Sequence, residues 1–208
     1  MNYKIIDDME ISGEALTALI DRLPAWRRAE ALKFKFESGR RECAMAYLLL
    51  ADMLGFQPEF QRSEHGKPSV AGSSVAFNLS HCKRAIACAV CENGDVGIDV
   101  ECLGRYKPQL AEYCMSDEEL SQIGEAEDRD EAFTLLWTKK EALLKLTGEG
   151  ITDDMKYVLK SDRMNGVKFV CGCNRERGYA WSVAVRDENE NETLRYENDN
   201  DNEDENYK

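Results

Sequence analysis

A chain of 208 residues with 43% hydrophobic and 32% charged residues can bury a sizeable core and reads as an ordinary globular protein of one large domain or two small lobes. Its formal charge of −13 is uneven: DENENETLRYENDNDNEDENYK, from Asp187 on, holds ten acidic and two basic residues, contributing −8 and leaving −5 for the rest. An acidic body with an acidic tail argues against a nucleic-acid partner, and apolar runs such as AMAYLLLADML are too short and too interrupted to span a bilayer, which argues against a membrane one.

The opening MNYKIIDDMEISGEAL lacks the basic-then-apolar pattern of a secretory signal. Eight cysteines are too sparse for a disulfide scaffold, so a cytoplasmic protein with free thiols is expected. In SGEALTALIDRL, Ser12 is a cap ahead of apolar residues at helical spacing. Pro24 restarts the chain, and AWRRAEALKFKF predicts a basic helix from Ala25 to Phe36 with Trp26, Leu32, Phe34 and Phe36 in the core. Ser38 is the expected cap of the next helix, which Gly55 ends. SEHGKPSV reads as a loop.

VAFNLSH, AIACAVC and VGIDVE then read as three successive strands, the last two joined as a hairpin by the Asn-Gly of ENGD. Ser116 with Glu119 makes a capping box for DEELSQIGEA. A long helix is predicted from about Asp130 to Thr147, closed by Gly148. VKFVCGC and YAWSVAV, flanking NRERG, read as a second hairpin. Helices ahead of a strand cluster, twice over, predict an α+β fold of two similar lobes, each a small antiparallel sheet packed with helices. Residues 1–103 form the first, 104–186 the second and 187–208 a tail with too little apolar surface to offset its ordering entropy, hence expected to be disordered.

Within VGIDVE the alternation of a strand puts Val96, Ile98 and Val100 on one face and Gly97, Asp99 and Glu101 on the other. Two carboxylates at i, i+2 suit a hard cation such as Mg²⁺, and Gly97 beside them leaves room for a ligand near the backbone. Alone, that face reads rather as an exposed strand face with two solvated acids. The helix FTLLWTKKEALLKLTGEG adds Trp137, Glu141 and Lys145 on one face, with Phe133, Leu136, Leu143 and Leu144 as an apolar stripe. Glu141 and Lys145 read either as a surface ion pair or, with Glu141 facing the strand acids, as a third carboxylate of the same site with its neighbouring amine. Lys145 beside it should keep it ionised, and Lys139 and Lys140 stand ready for phosphate oxygens. Cys88 and Cys91 fall on opposite strand faces and Cys171 and Cys173 on one face, without the second pair a zinc ribbon needs.

HGKP, FNLSH, GIDVE and WTKKEALLK, in that order and spacing between Gly66 and Gly150, closely resemble the 4′-phosphopantetheinyl transferase superfamily, Sfp type. The resemblance implies a pseudo-twofold monomer with coenzyme A in the cleft between lobes. It implies that Asp99, Glu101 and Glu141 bind Mg²⁺ and that Glu141 is also the general base. Lys145 would act on the coenzyme A phosphates, and Lys67, Ser80 and His81 would bind coenzyme A, the histidine toward its 3′-phosphate. The implied reaction moves 4′-phosphopantetheine from coenzyme A to a serine of an apo acyl or peptidyl carrier protein and releases adenosine 3′,5′-bisphosphate. The carrier could serve fatty-acid, polyketide or nonribosomal peptide synthesis.

The chain departs from the family pattern before its main first-lobe helix. In GRREC, Arg41 best matches the family's coenzyme A-binding arginine, while Arg27, Arg28, Lys33 and Lys35 match only loosely. The alternative is a non-catalytic coenzyme A or carrier-protein binding module. Loss of an acid or lysine would favour it, and Asp99, Glu101, Glu141 and Lys145 are all present.

Overall fold

The computed structural model describes residues 1–62, 68–148, 150 and 155–187. Lys67 and the tail beyond Asp187 therefore lie outside the described residues. The chain runs β1 (Asn2–Ile6), α1 (Gly13–Asp21), α2 (Ala25–Leu32), α3 (Glu37–Leu54), β2 (Phe60–Arg62), β3 (Pro68–Val70), β4 (Ala76–His81), β5 (Ile86–Cys91) and β6 (Gly94–Cys102). It continues with α4 (Pro108–Cys114), α5 (Asp117–Glu125), α6 (Arg129–Thr147), two short 3₁₀ turns, β7 (Val167–Asn174) and β8 (Tyr179–Asp187). This is the α+β architecture of small antiparallel sheets packed with helices.

Two three-stranded sheets carry the fold, ordered β1-β5-β4 and β6-β8-β7, with β2 and β3 forming a separate ribbon. On one face of the first sheet, Phe77, Ile86 and Cys88 pack with Met45, Ala46, Leu49 and Leu50 of α3. On its other face, Ala87, Ala89 and Cys91 meet Val96, Ile98, Val100 and Val183 of the second sheet. The far side of the second sheet is covered by α6, where Ala142 and Leu146 pack on Ala184. The order of layers is helix, sheet, sheet, helix.

The expected β5–β6 hairpin does not form. The chain turns at Asn93-Gly94, with Gly94 at φ 121°, but β6 pairs with β8 in the register Asp99↔Ser182. β6 is an edge strand, and β4 of the other sheet lies along that edge. Asn78 Oδ1 accepts the Ile98 N–H at 3.0 Å and Ser80 Oγ accepts the Val100 N–H at 3.3 Å. Side chains thus stand in for the missing strand and satisfy backbone donors that burial would otherwise strand.

Helix α2 stops at Leu32, short of Phe36, because the chain folds back on itself there. Lys33 and Phe34 close the last turn with i−3 bonds to Glu30 and Ala31, Arg40 Nε donates to the Phe34 carbonyl, and the Phe34 ring lies against Gly39. The alternation in KFKF has the period of an extended segment. Leu32, Phe34 and Phe36 are exposed rather than core, while Trp26 at the surface still packs edge-on against Tyr47 and Phe60. Helix α3 begins one residue ahead of Ser38, with Phe36 at the N-cap position. Gly55 ends α3 and Gly148 ends α6, both at φ 77°, a left-handed conformation that favours glycine. Ser116 and Glu119 form both hydrogen bonds of the expected capping box. Ser12 precedes α1 but makes no side-chain cap bond. Cys88 and Cys91 enter different core clusters, on opposite faces of β5.

Candidate active site at the β4–β6–α6 junction

The site begins with Gly97. A Cβ at that position would lie 2.0 Å from the Ala142 carbonyl oxygen and 2.5 Å from the Leu146 N. The missing side chain therefore admits the backbone of α6, not a ligand as the sequence suggests. This close approach puts the face of α6 that carries Glu141 and Lys145 directly over Asp99.

Lys145 Nζ donates to Asp99 Oδ1 at 2.6 Å, to Ser80 Oγ at 2.9 Å and to the Ile98 carbonyl at 3.3 Å. Ser80 Oγ donates to Asp99 Oδ1 at 2.9 Å. With the Val100 N–H it thereby gives its one proton and fills both lone pairs. Asp99 is buried, and the knot of Ser80, Asp99 and Lys145 joins β4, β6 and α6.

Glu101 is held differently. One oxygen accepts the Cys102 N–H at 2.9 Å and the other pairs with Arg105, whose guanidinium carbon lies 5.8 Å from the centre of the Trp137 ring. Burial pushes the Glu141 carboxyl above its ordinary value of 4.5, and the negative charge of Asp99 adds to that. Lys145 pulls it down and Glu101 pushes it up again. Lys145 thus favours the ionised form as expected, but it is engaged by Asp99, and burial with the Asp99 charge outweighs it.

Asp99, Glu101 and Glu141 offer oxygen donors from two rigid elements, the chemistry a hard cation takes. As the side chains stand, no group of three His, Cys, Asp or Glu among the described residues closes into a ligand shell. Lys145 and Arg105 hold the oxygens of Asp99 and Glu101 instead. Burial first, then the charges of Asp99 and Glu101, raise Glu141, and a cation among the three carboxylates would offset those charges, so the donor set fits one.

The other expected residues divide. His81 points to the opposite face of β4 from Ser80 and lies with Nδ1 3.7 Å from Glu42 of α3. Arg41, next to Glu42, donates to the Ile11 carbonyl at 3.2 Å and keeps a buried Nε with no partner among the described residues. Neither His81 nor Arg41 bonds to the Ser80, Asp99 and Lys145 knot; Arg41 lines a separate groove with Asp7, Lys83 and Arg177. Arg27 and Arg28 bond the Cys43 and Asp21 carbonyls, Lys33 pairs with Glu30, and Lys35 lies over Phe36.

Lys140 is not a phosphate ligand. It is fully buried in the second core and donates to the Cys114 and Met155 carbonyls at 2.8 and 2.7 Å and to Glu119 Oε2 at 2.7 Å. Glu119 also closes the capping box of α5, so Lys140 locks α4, α5 and the segment after α6 together. Lys139 lines a separate groove beside Arg175 and Glu131.

Sequence reasoning missed Asn78 and Arg105. Asn78 left a trace: with Ser80 it places two polar groups on one face of an otherwise apolar strand. Arg105 left one too, standing four residues after Glu101, its ion-pair partner, while its contact with Trp137 is non-local.

The 4′-phosphopantetheinyl transferase superfamily profile matches residues 95–196. The chain is similar to the 4′-phosphopantetheinyl transferase psf-1 of Bacillus pumilus, 33% identical over 61% of this chain and 58% of that one. It is similar to AcpT of Salmonella typhimurium, 33% identical over 62% of this chain and 71% of that one. It is also similar to Sfp of Bacillus subtilis, 26% identical over 72% and 71%. The match to the B. pumilus protein and that to HetI of Nostoc each span 58% of the relative's length.

Proposed function

Because the chain belongs to the 4′-phosphopantetheinyl transferase superfamily, we propose that it transfers 4′-phosphopantetheine from coenzyme A to a serine of an apo carrier protein, with release of adenosine 3′,5′-bisphosphate. The observation that carries the reading is the junction itself: three carboxylates and a lysine, from the two motifs the family shares, converge where both sheets and α6 meet.

Asp99, Glu101 and Glu141 are the residues that would hold Mg²⁺. When bound, the ion offsets charge on the pyrophosphate of coenzyme A. Lys145, released from Asp99, turns its ammonium to the same phosphates. Arg41, His81 and Lys67 bind the nucleotide end from the first lobe, and Ser80 orients Asp99 and Lys145. Glu141 takes the proton of the carrier serine. The serine oxygen forms its bond to the β-phosphorus, and the bond from that phosphorus to the bridging oxygen breaks. Catalysis is then mainly positioning and electrostatics.

The test is incubation with several apo carrier proteins, coenzyme A and Mg²⁺, read by intact mass. A carrier that gains one phosphopantetheine supports the reading. No gain on carriers of fatty-acid, polyketide and peptide synthesis, with coenzyme A binding intact, favours a binding module instead.

A further inference from the structure

The seam between β4 and β6 continues beyond its two hydrogen bonds. Asn78 caps Ile98 and Ser80 caps Val100, so the strands advance together with a constant offset. The next step of that register sets Cys82 against Cys102. Both residues belong to one packed cluster with Ala85, Val100 and Tyr179, and the neighbouring Cys102 thiol adds to the upward push on Cys82. Cys82 is buried, while Cys102 is partly open to solvent.

We propose that Cys82 and Cys102 form a reversible disulfide that locks the β4–β6 seam, making the pair a redox modification site beside the catalytic junction. The bond would tie residues adjoining His81 on one strand and Glu101 on the other. Cys102 is also the backbone donor to Glu101, so its position sets that of the carboxylate. The other buried thiols have different surroundings: Cys43 packs with Leu16, Ala44 and Tyr47, Cys91 faces the Asn93 carbonyl and Cys114 the Leu110 carbonyl. Cys88 sits in the apolar core under α3.

The oxidant is a low-molecular-weight disulfide such as glutathione disulfide. The more accessible Cys102 sulfur, as thiolate, attacks one glutathione sulfur and expels the other as a thiol. Cys82 then attacks the Cys102 sulfur of the mixed disulfide and expels the second glutathione. Two electrons pass to glutathione, and the two protons of the cysteines go to the two glutathione thiolates released. Burial pushes the Cys82 thiol up to about 12, with backbone N–H groups of the turn and the neighbouring Cys102 as lesser influences. Burial also keeps a bulky disulfide from Cys82, so Cys102 is the first attacking sulfur and Cys82 the resolving one.

The cross-link does not depend on the proposed transfer activity, so its test stands apart from that reading. The full chain is incubated with glutathione disulfide, alkylated without reduction, and digested at Lys and Arg and also at Glu; Glu92 separates Cys88 and Cys91 from Cys102. The expected product is a chain about 2 Da lighter, carrying one Cys82–Cys102 linked peptide pair that dithiothreitol releases. Cys82→Ser and Cys102→Ser should each abolish it. In the oxidised wild type, amide exchange at Ile98 and Val100 should slow on the order of tenfold as the seam loses its local opening. A stable glutathione adduct on Cys102 with no Cys82 link, a link through another pair, or unchanged exchange at Ile98 and Val100 overturns the proposal. The wild-type map decides the matter even where a serine variant fails to fold.

Discussion

Lys145 and Asp99 form an ion pair of 2.6 Å in which the carboxylate is buried and the ammonium is partly open to the junction. The pair ties α6 to β6, and it leaves one cation that an incoming anion can take over. Removing the lysine strands the carboxylate. Lys145→Met should cost roughly 2–4 kcal/mol of stability by urea denaturation, with most of that recovered in Lys145→Met/Asp99→Asn. Additive losses in the double variant would mean that the two groups do not depend on each other.

Gly97→Ala tests why α6 lies where it does. Its new methyl would meet the Ala142 carbonyl and the Leu146 amide, both backbone atoms that cannot rotate away. A loss of more than about 3 kcal/mol, or failure to fold, is expected on denaturant titration. A variant as stable as the parent would show that the helix has room to move off the strand.

Lys140 separates a structural lysine from a ligand-binding one. Lys140→Met should destabilise by about 3–5 kcal/mol, because it leaves Glu119 and two carbonyls buried without their donor. Lys139→Ala, one residue earlier, should change stability by less than about 0.5 kcal/mol. A Lys140→Met protein of normal stability with weakened coenzyme A binding would restore the phosphate role that the sequence suggests.

Glu141 gives a pH signature in metal-free protein. Its folded-state value lies above 4.5, so the neutral form is favoured by the fold. That contribution to stability is fully present below 4.5 and is lost as pH rises through the folded value. Glu141→Gln should therefore match the parent's Tm at acid pH and exceed it near pH 7. A lower Tm for the variant at pH 7 would mean that the ionised carboxylate is well solvated or paired.

Local signals carried much of this structure. The stop of α6 at Gly148, the capping box of α5, and the faces of β4, β5 and β6 all follow from spacing over a few residues. The face shared by Asp99 and Glu101 and the face shared by Glu141 and Lys145 were legible for the same reason. What escaped is non-local. β6 has a good turn behind it, yet pairs with β8, because that pairing buries Val96, Ile98 and Val100 against the other sheet. The role of Gly97 depended on which element covers it. Lys140 looked like its neighbour Lys139 until the fold placed it inside a core.

The most direct measurement is transfer to an apo carrier protein by the parent, Asp99→Ala and Glu141→Gln, run side by side across a Mg²⁺ titration and read by intact mass. The parent should modify the carrier and stop in EDTA. Asp99→Ala should need far more Mg²⁺ and regain part of its rate, while Glu141→Gln should bind coenzyme A yet stay slow at every concentration. A parent that leaves every carrier unmodified, or variants that keep the parent's rate, would contradict the assignment of this junction as the catalytic centre.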